Sequence, residues 1–158
     1  MSRALPAAVP PAIRALLDAD PADPIADGST LLLLTVREDG WPHQAMISVG
    51  EAVVAGDDGL RLAVWPGSTS TRNLRQRRRG TLTAVLDGVA YTLFLEVDPT
   101  GELETPLAGK LARFDARVRA ASADEAPYAT LDSGVRFTLK DPPTVLARWR
   151  EVREALRR

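Results

Sequence analysis

Cysteine is absent from the 158-residue chain. Disulfides, thiolate nucleophiles, cysteine-ligated zinc and iron–sulfur clusters are excluded with it. Histidine occurs once, as His43, so no multi-histidine metal site forms within one subunit. Charge of one sign is also missing: 20 basic and 21 acidic side chains leave a formal charge of -1. The molecule as a whole has no field that selects nucleic acid or an anionic membrane. The apolar run Leu31–Leu34 is far too short to span a bilayer. The N-terminus lacks the basic-then-apolar layout of a secretory signal, so the expected location is the cytoplasm.

What is present is an ordinary globular composition, 45% apolar and 26% charged. One domain spanning 1–158 is expected at this length. Its core falls at about 29–140, flanked by helices at about 10–19 and 143–157. Heavy use of Ala, Arg, Leu and Pro with almost no Lys suggests a GC-rich bacterial source.

Pro10-Pro11 opens the first helical pattern, with Ile13, Leu16 and Leu17 on one face. Thr30–Arg37 reads as a strand buried on both faces. Asp39-Gly40 is a hairpin signal. The return strand falls at about Gln44–Val49, and Val53–Ala55 continues it past a bulge at Gly50. Asp57-Asp58-Gly59 makes another turn, and Leu60–Trp65 alternates as a third strand. A short helix over Arg72–Arg78, capped by the hydroxyls at 68–71 and stopped by Gly80, is expected next. Strands follow at Thr81–Leu86 and Val89–Val97, joined by Asp87-Gly88. Asp98-Pro99-Thr100-Gly101 ends this meander. Leu107, Leu111, Phe114 and Val118 at helical spacing predict a helix over Leu107–Ala121. Ser122–Tyr128 reads as a loop, Val135–Leu139 as a last strand, and Pro142-Pro143 as the start of the C-terminal helix.

The turn from Trp65 to Leu74 is the first candidate for chemistry. Gly67-Ser68-Thr69-Ser70-Thr71-Arg72-Asn73 sets four hydroxyls and a guanidinium after a strand and before a helix. Unpaired backbone N–H groups at a helix start attract anions, and hydroxyls and Arg72 add donors. Ordinary helix capping puts the same residue types there. Arg72, Arg75, Arg77, Arg78 and Arg79 lack interleaved aromatics and read as a solvated helix face rather than a nucleic-acid contact. Trp41, Trp65 and Trp149 read as core or subunit-interface residues, or as stacking surfaces for a flat ring. His43 reads as a structural residue at a strand start, with axial haem ligation or base catalysis as the alternative. No G-x-S-x-G, Walker or G-x-G-x-x-G motif is present, and no catalytic residue is identified. An enzyme on this chain would rely on a cofactor.

The succession Asp39-Gly40-Trp41-Pro42-His43, a strand, a tight turn, a strand ending at Trp65, then Ser68 and Asn73-Leu74, resembles the pyridoxamine 5′-phosphate oxidase-like family of flavin-binding split barrels. The resemblance covers roughly Ser29 to Val97, with a further echo in Pro127-Tyr128 through Phe137. It implies an α+β, mainly β fold, an antiparallel split barrel of six strands or so with flanking helices. It further implies a homodimer with two FMN sites between subunits. By position, Ser68 to Asn73 (Ser68, Thr69, Ser70, Thr71, Arg72, Asn73) correspond to the flavin-phosphate turn. Met46, Ile47 and Ser48 correspond to the strand beside the isoalloxazine, and Trp65 flanks the ring.

Where relatives supply cations, this chain carries Ala45, Gly50, Thr69 and Ser70. The leading expectation is an FMN-binding protein, or one binding the deazaflavin F420, that performs redox chemistry on a small molecule. The alternatives are a degenerate, flavin-free dimer that binds ligands or responds to stress, and a haem protein using His43. No nucleic-acid or membrane partner is expected.

Overall fold

The computed structural model describes every residue from Met1 to Arg158. In chain order the elements are β1 (Ser2–Leu5), α1 (Pro11–Asp18), β2 (Thr30–Val36), β3 (Pro42–Ser48), β4 (Ala52–Ala55), β5 (Gly59–Val64), α2 (Thr69–Arg77), β6 (Arg79–Leu86), β7 (Val89–Thr105), β8 (Gly109–Asp124) and α3 (Pro142–Arg157). All strand pairings are antiparallel, in the order β3-β2-β6-β7-β8-β5-β4, with β1 added to β8. The sheet is open, with β3 and β4 at the ends of the path. This is a mainly β split barrel of the α+β class, with eight strands rather than about six.

The hairpins form where the turn chemistry demands them. Asp87 and Gly88 both have positive φ, 50° and 81°, as a two-residue turn matched to strand twist requires. β6 and β7 run from that turn in register, Leu86 opposite Val89. The connection from β5 to β6 is different. It carries the chain across to pair β6 with β2, and α2 makes that crossing, with Leu74 fully buried beneath it. The main core has 24 buried residues, drawn from α1, α2 and the inward faces of most strands. A smaller cluster, including Val53, Leu103, Leu111, Val152 and Leu156, seats α3. Arg153, 2% exposed, ties α3 to the end of α1 by donating to the carbonyls of Leu17 and Ala19. Asp20 and Arg150 form a bidentate pair beside it, at 2.8 and 3.0 Å.

Several expectations are corrected. Leu107–Ala121 is not a helix: it belongs to the β7–β8 hairpin. Ala112, Phe114, Ala116 and Val118 are buried alternately with Arg113, Asp115 and Arg117 on the other face, a period of two. The 3–4 spacing of Leu111, Phe114 and Val118 is incidental to that alternation. Asp98-Pro99-Thr100-Gly101 does not end the meander either. The ladder shifts register between Pro99 and Gly101, and Gly101 takes φ 103°. A bulge accommodates a proline that cannot donate, and β7 continues to Thr105.

Val135–Leu139 makes only an isolated bridge, Ser29 with Arg136. β4 pairs with β5 instead of prolonging β3, because Val49 and Gly50 form a turn closed by Glu51 N–H donating to the Ser48 carbonyl. β2 is fully buried on one face only, through Leu31, Leu33 and Thr35. α2 begins at Thr69 and ends at Arg78, whose φ is 54°, so Gly80 lies within β6. β1 gave no apolar alternation to read, since Ser2, Arg3 and Ala4 are exposed, only Leu5 is half-buried, and main-chain pairing joins it to β8.

Candidate functional site

The ten residues singled out from the sequence fall on two surfaces. Ser68 caps α2, its hydroxyl oxygen accepting from the Thr71 N–H at 3.1 Å. The Thr71 hydroxyl donates to the Trp65 carbonyl at 2.7 Å and is buried. The Asn73 amide donates to the Thr35 hydroxyl on β2 at 2.9 Å, also buried. The Ser70 hydroxyl is buried without a partner. The side chains of Ser70, Thr71 and Asn73 therefore point into the fold, where they fix the crossing of α2 over the sheet. Ser68 and Thr69 remain half-exposed, and Trp65 and Arg72 are exposed.

No acid stands in the first turn of α2. Arg72 and Arg75 have no ion-pair partner, whereas Arg78 pairs with Asp98 and Arg77 donates to the carbonyls of Arg37 and Glu38. The Ser68 hydroxyl is engaged by Thr71, accepting from its N–H and donating to its hydroxyl, so the outward donor set is the helix start, the Thr69 hydroxyl and the Arg72 guanidinium. Donors of this kind can give hydrogen bonds to an anionic oxygen.

The second surface begins on β3. Met46 is 64% exposed, while Ile47 is buried and Ser48 half-buried. These three residues line a cleft of about 540 Å³ whose far wall is α3 and the segment 135–139. Gly50 sets the wall's position. A Cβ there would lie 2.1 Å from Trp149 Cγ, so the indole rests directly on the glycine backbone. A longer side chain at position 50 has no room. Phe137 meets Trp149 edge to face, with centroids 6.0 Å apart and planes at 86°.

At the base of the cleft, Glu51 accepts from the backbone N–H and the hydroxyl of Ser48. Burial pushes the Glu51 carboxyl above its ordinary value, against the lowering effect of the Ser48 hydrogen bonds and of Arg148's charge. Sequence reading missed Gly50, Glu51, Phe137, Arg148 and Trp149 as one cluster. They come from separate segments, and no spacing rule links them.

Trp41 and Trp65, 71% and 61% exposed, lie outside the core of the chain. His43 is half-buried in β3 opposite Thr35. A third hollow, about 590 Å³, lies over β2, β6 and β7 and includes Val36, Arg79, Phe94 and Arg119. Val36 and Phe94 are exposed on it. No helix is long and apolar enough to cross a membrane.

No family model matches the chain. It is 37% identical over 142 residues to the uncharacterized protein YclD of Bacillus subtilis strain 168, covering 85% of this chain and 92% of that one. Among solved structures, a candidate pyridoxamine 5′-phosphate oxidase from Lactobacillus delbrueckii aligns with a TM-score of 0.57 at 12% identity, covering 75% of this chain and 98% of that chain. HupZ of Group A Streptococcus aligns with a TM-score of 0.56 at 8% identity, covering 73% and 99%. At such identities these structural matches concern the fold alone.

Proposed function

The chain belongs to the family of Bacillus subtilis YclD and has the pyridoxamine 5′-phosphate oxidase-like split-barrel fold, and on that premise we propose that it binds FMN for redox chemistry on a small molecule. The observation that carries the reading is the donor set at the start of α2, where the half-exposed Thr69 and the exposed Arg72 flank a Ser68-capped helix start with no acid in the first turn. These groups hold the flavin phosphate. Arg72 supplies a charge-assisted bond, and the backbone N–H groups supply the dipole's positive end. Trp65 and Met46, both exposed, offer flat and polarisable surface to the ring. The flavin, when bound, supplies hydride transfer, and the protein contributes position and exclusion of water. A second copy of the chain covers the apolar surface marked by Val36 and Phe94, giving a homodimer.

Purified protein should be yellow, or become so with FMN, and sediment as a dimer. Arg72→Ala should weaken FMN binding about tenfold by fluorescence titration, the loss expected for a charge-assisted bond. Unchanged affinity removes the phosphate assignment.

A second reading has a specific observation in its favour. Trp149 fills the space over Gly50, and Ser70 is turned inward. Two places where relatives offer cations thus serve packing, which supports a flavin-free ligand-binding module. Colourless protein that ignores added FMN selects this reading, and a Soret band selects haem at His43.

A further inference from the structure

The cleft between β3 and α3 has features that the flavin reading does not use. Its volume, about 540 Å³, is within the range of small-molecule sites, and its walls are mainly apolar. Trp149 is immobilised against Gly50, and Phe137 against Trp149, which makes a rigid aromatic corner. Arg148 lines the same space, is half-buried, and has no hydrogen-bond or ion-pair partner in the protein. Arg136 also lines it, with one contact, to the Asp27 carbonyl at 2.9 Å.

The sign of the preferred ligand follows from the polar groups. Glu51 is the one acid lining the cleft, and its carboxylate oxygen already accepts two hydrogen bonds from Ser48. Arg148 and Arg136 line the same space, two guanidinium groups to one carboxyl. The unanswered charge is therefore positive, and an anion completes it.

We propose that this cleft is a second small-molecule site that takes a flat aromatic carboxylate, with its ring against Trp149 and Phe137 and its carboxylate on Arg148. The site goes beyond the flavin reading and does not depend on it: no residue of the turn from Trp65 to Asn73 lines the cleft, and only β3 is shared. Met46 at this surface places such a ligand beside the strand proposed to flank the flavin ring.

The test uses the full chain and 2-naphthoate as the probe, followed by ligand-observed NMR. Wild-type protein should bind 2-naphthoate and bind its neutral amide about tenfold more weakly, since the amide lacks the charge that Arg148 answers. Arg148→Gln should abolish that difference, while Arg148→Lys keeps most of it. Should Arg148→Gln fail to fold, the carboxylate-to-amide ratio on wild type decides alone. Absence of naphthoate binding, equal affinity for acid and amide, or displacement of naphthoate by FMN overturns the proposal. A second copy of the chain lying over the cleft would also give the first of these results. Protein that takes naphthoate but no FMN sinks only the flavin reading. Protein that takes FMN but no naphthoate sinks only this one.

Discussion

The turn at the start of α2 and the cleft beneath α3 use polar residues in opposite ways. The turn is rich in hydroxyls, yet Ser70, Thr71 and Asn73 face inward, and Thr71 and Asn73 bond to Trp65 and Thr35. The cleft has few polar groups, and one of them, Arg148, is left unanswered. Local sequence density of donors thus marks where the backbone needs support. A cation without a protein partner beside a fixed aromatic corner marks a surface free to meet another molecule.

Substitutions can break or sharpen that contrast. The largest effect is expected at the cleft wall. Gly50→Ala puts a methyl group into the indole of Trp149, and such overpacking should cost about 3 kcal/mol in urea unfolding. If Trp149→Ala in the same chain recovers much of that loss, the two residues are coupled as described. Within the turn, Asn73→Ala leaves the buried Thr35 hydroxyl without its donor and should cost about 2 kcal/mol. Ser68→Ala removes the cap and should cost about 1 kcal/mol. Stability unaffected by both changes would mean that the turn's polar groups are not structural.

The smallest effect is a slope. Glu51 holds its proton more tightly in the folded protein than in the unfolded chain, so between those two values the native state carries the extra proton. Stability from this group is therefore complete below the unfolded carboxyl range and is lost as pH rises through the folded value. Glu51→Gln should flatten that part of the stability–pH curve, measured by urea unfolding at a series of pH values. A curve identical to wild type would show that the carboxyl is not desolvated.

Much of the fold was readable because turn residues and alternation act locally. Asp39-Gly40 and Asp87-Gly88 sit at real hairpin turns, and the Ile13, Leu16 and Leu17 stripe of α1 is a real buried face. The β7–β8 hairpin was misread because alanine serves both helix and strand. Ala112 and Ala116 carry the period of two as faintly as any residue can. β1 was invisible because only one of its four residues, Leu5, packs against the core. At the α2 start, the cap at Ser68 and the exposed Arg72 were identifiable from local sequence. The orientation of Ser70 and Thr71 depends on how α2 crosses the sheet, and that is set by β2 pairing with β6 far along the chain. Trp149 against Gly50 is likewise a meeting of distant segments.

The crossing made by α2 also bears on how the chain reaches this state. The β2–β3, β4–β5 and β6–β7 ladders join neighbours in sequence and close only short loops. β5 gains its second partner only when Gly59–Val64 meets Ala112–Arg117, from which α2, β6 and β7 separate it in sequence. Sheet assembly on this topology should therefore have a slow stage, in which β5 with β8, β2 with β6 and β1 with β8 find partners distant in sequence. Until it is reached, the unpaired edge of β5 is open to the β8 of another molecule, so refolding yield should fall as protein concentration rises.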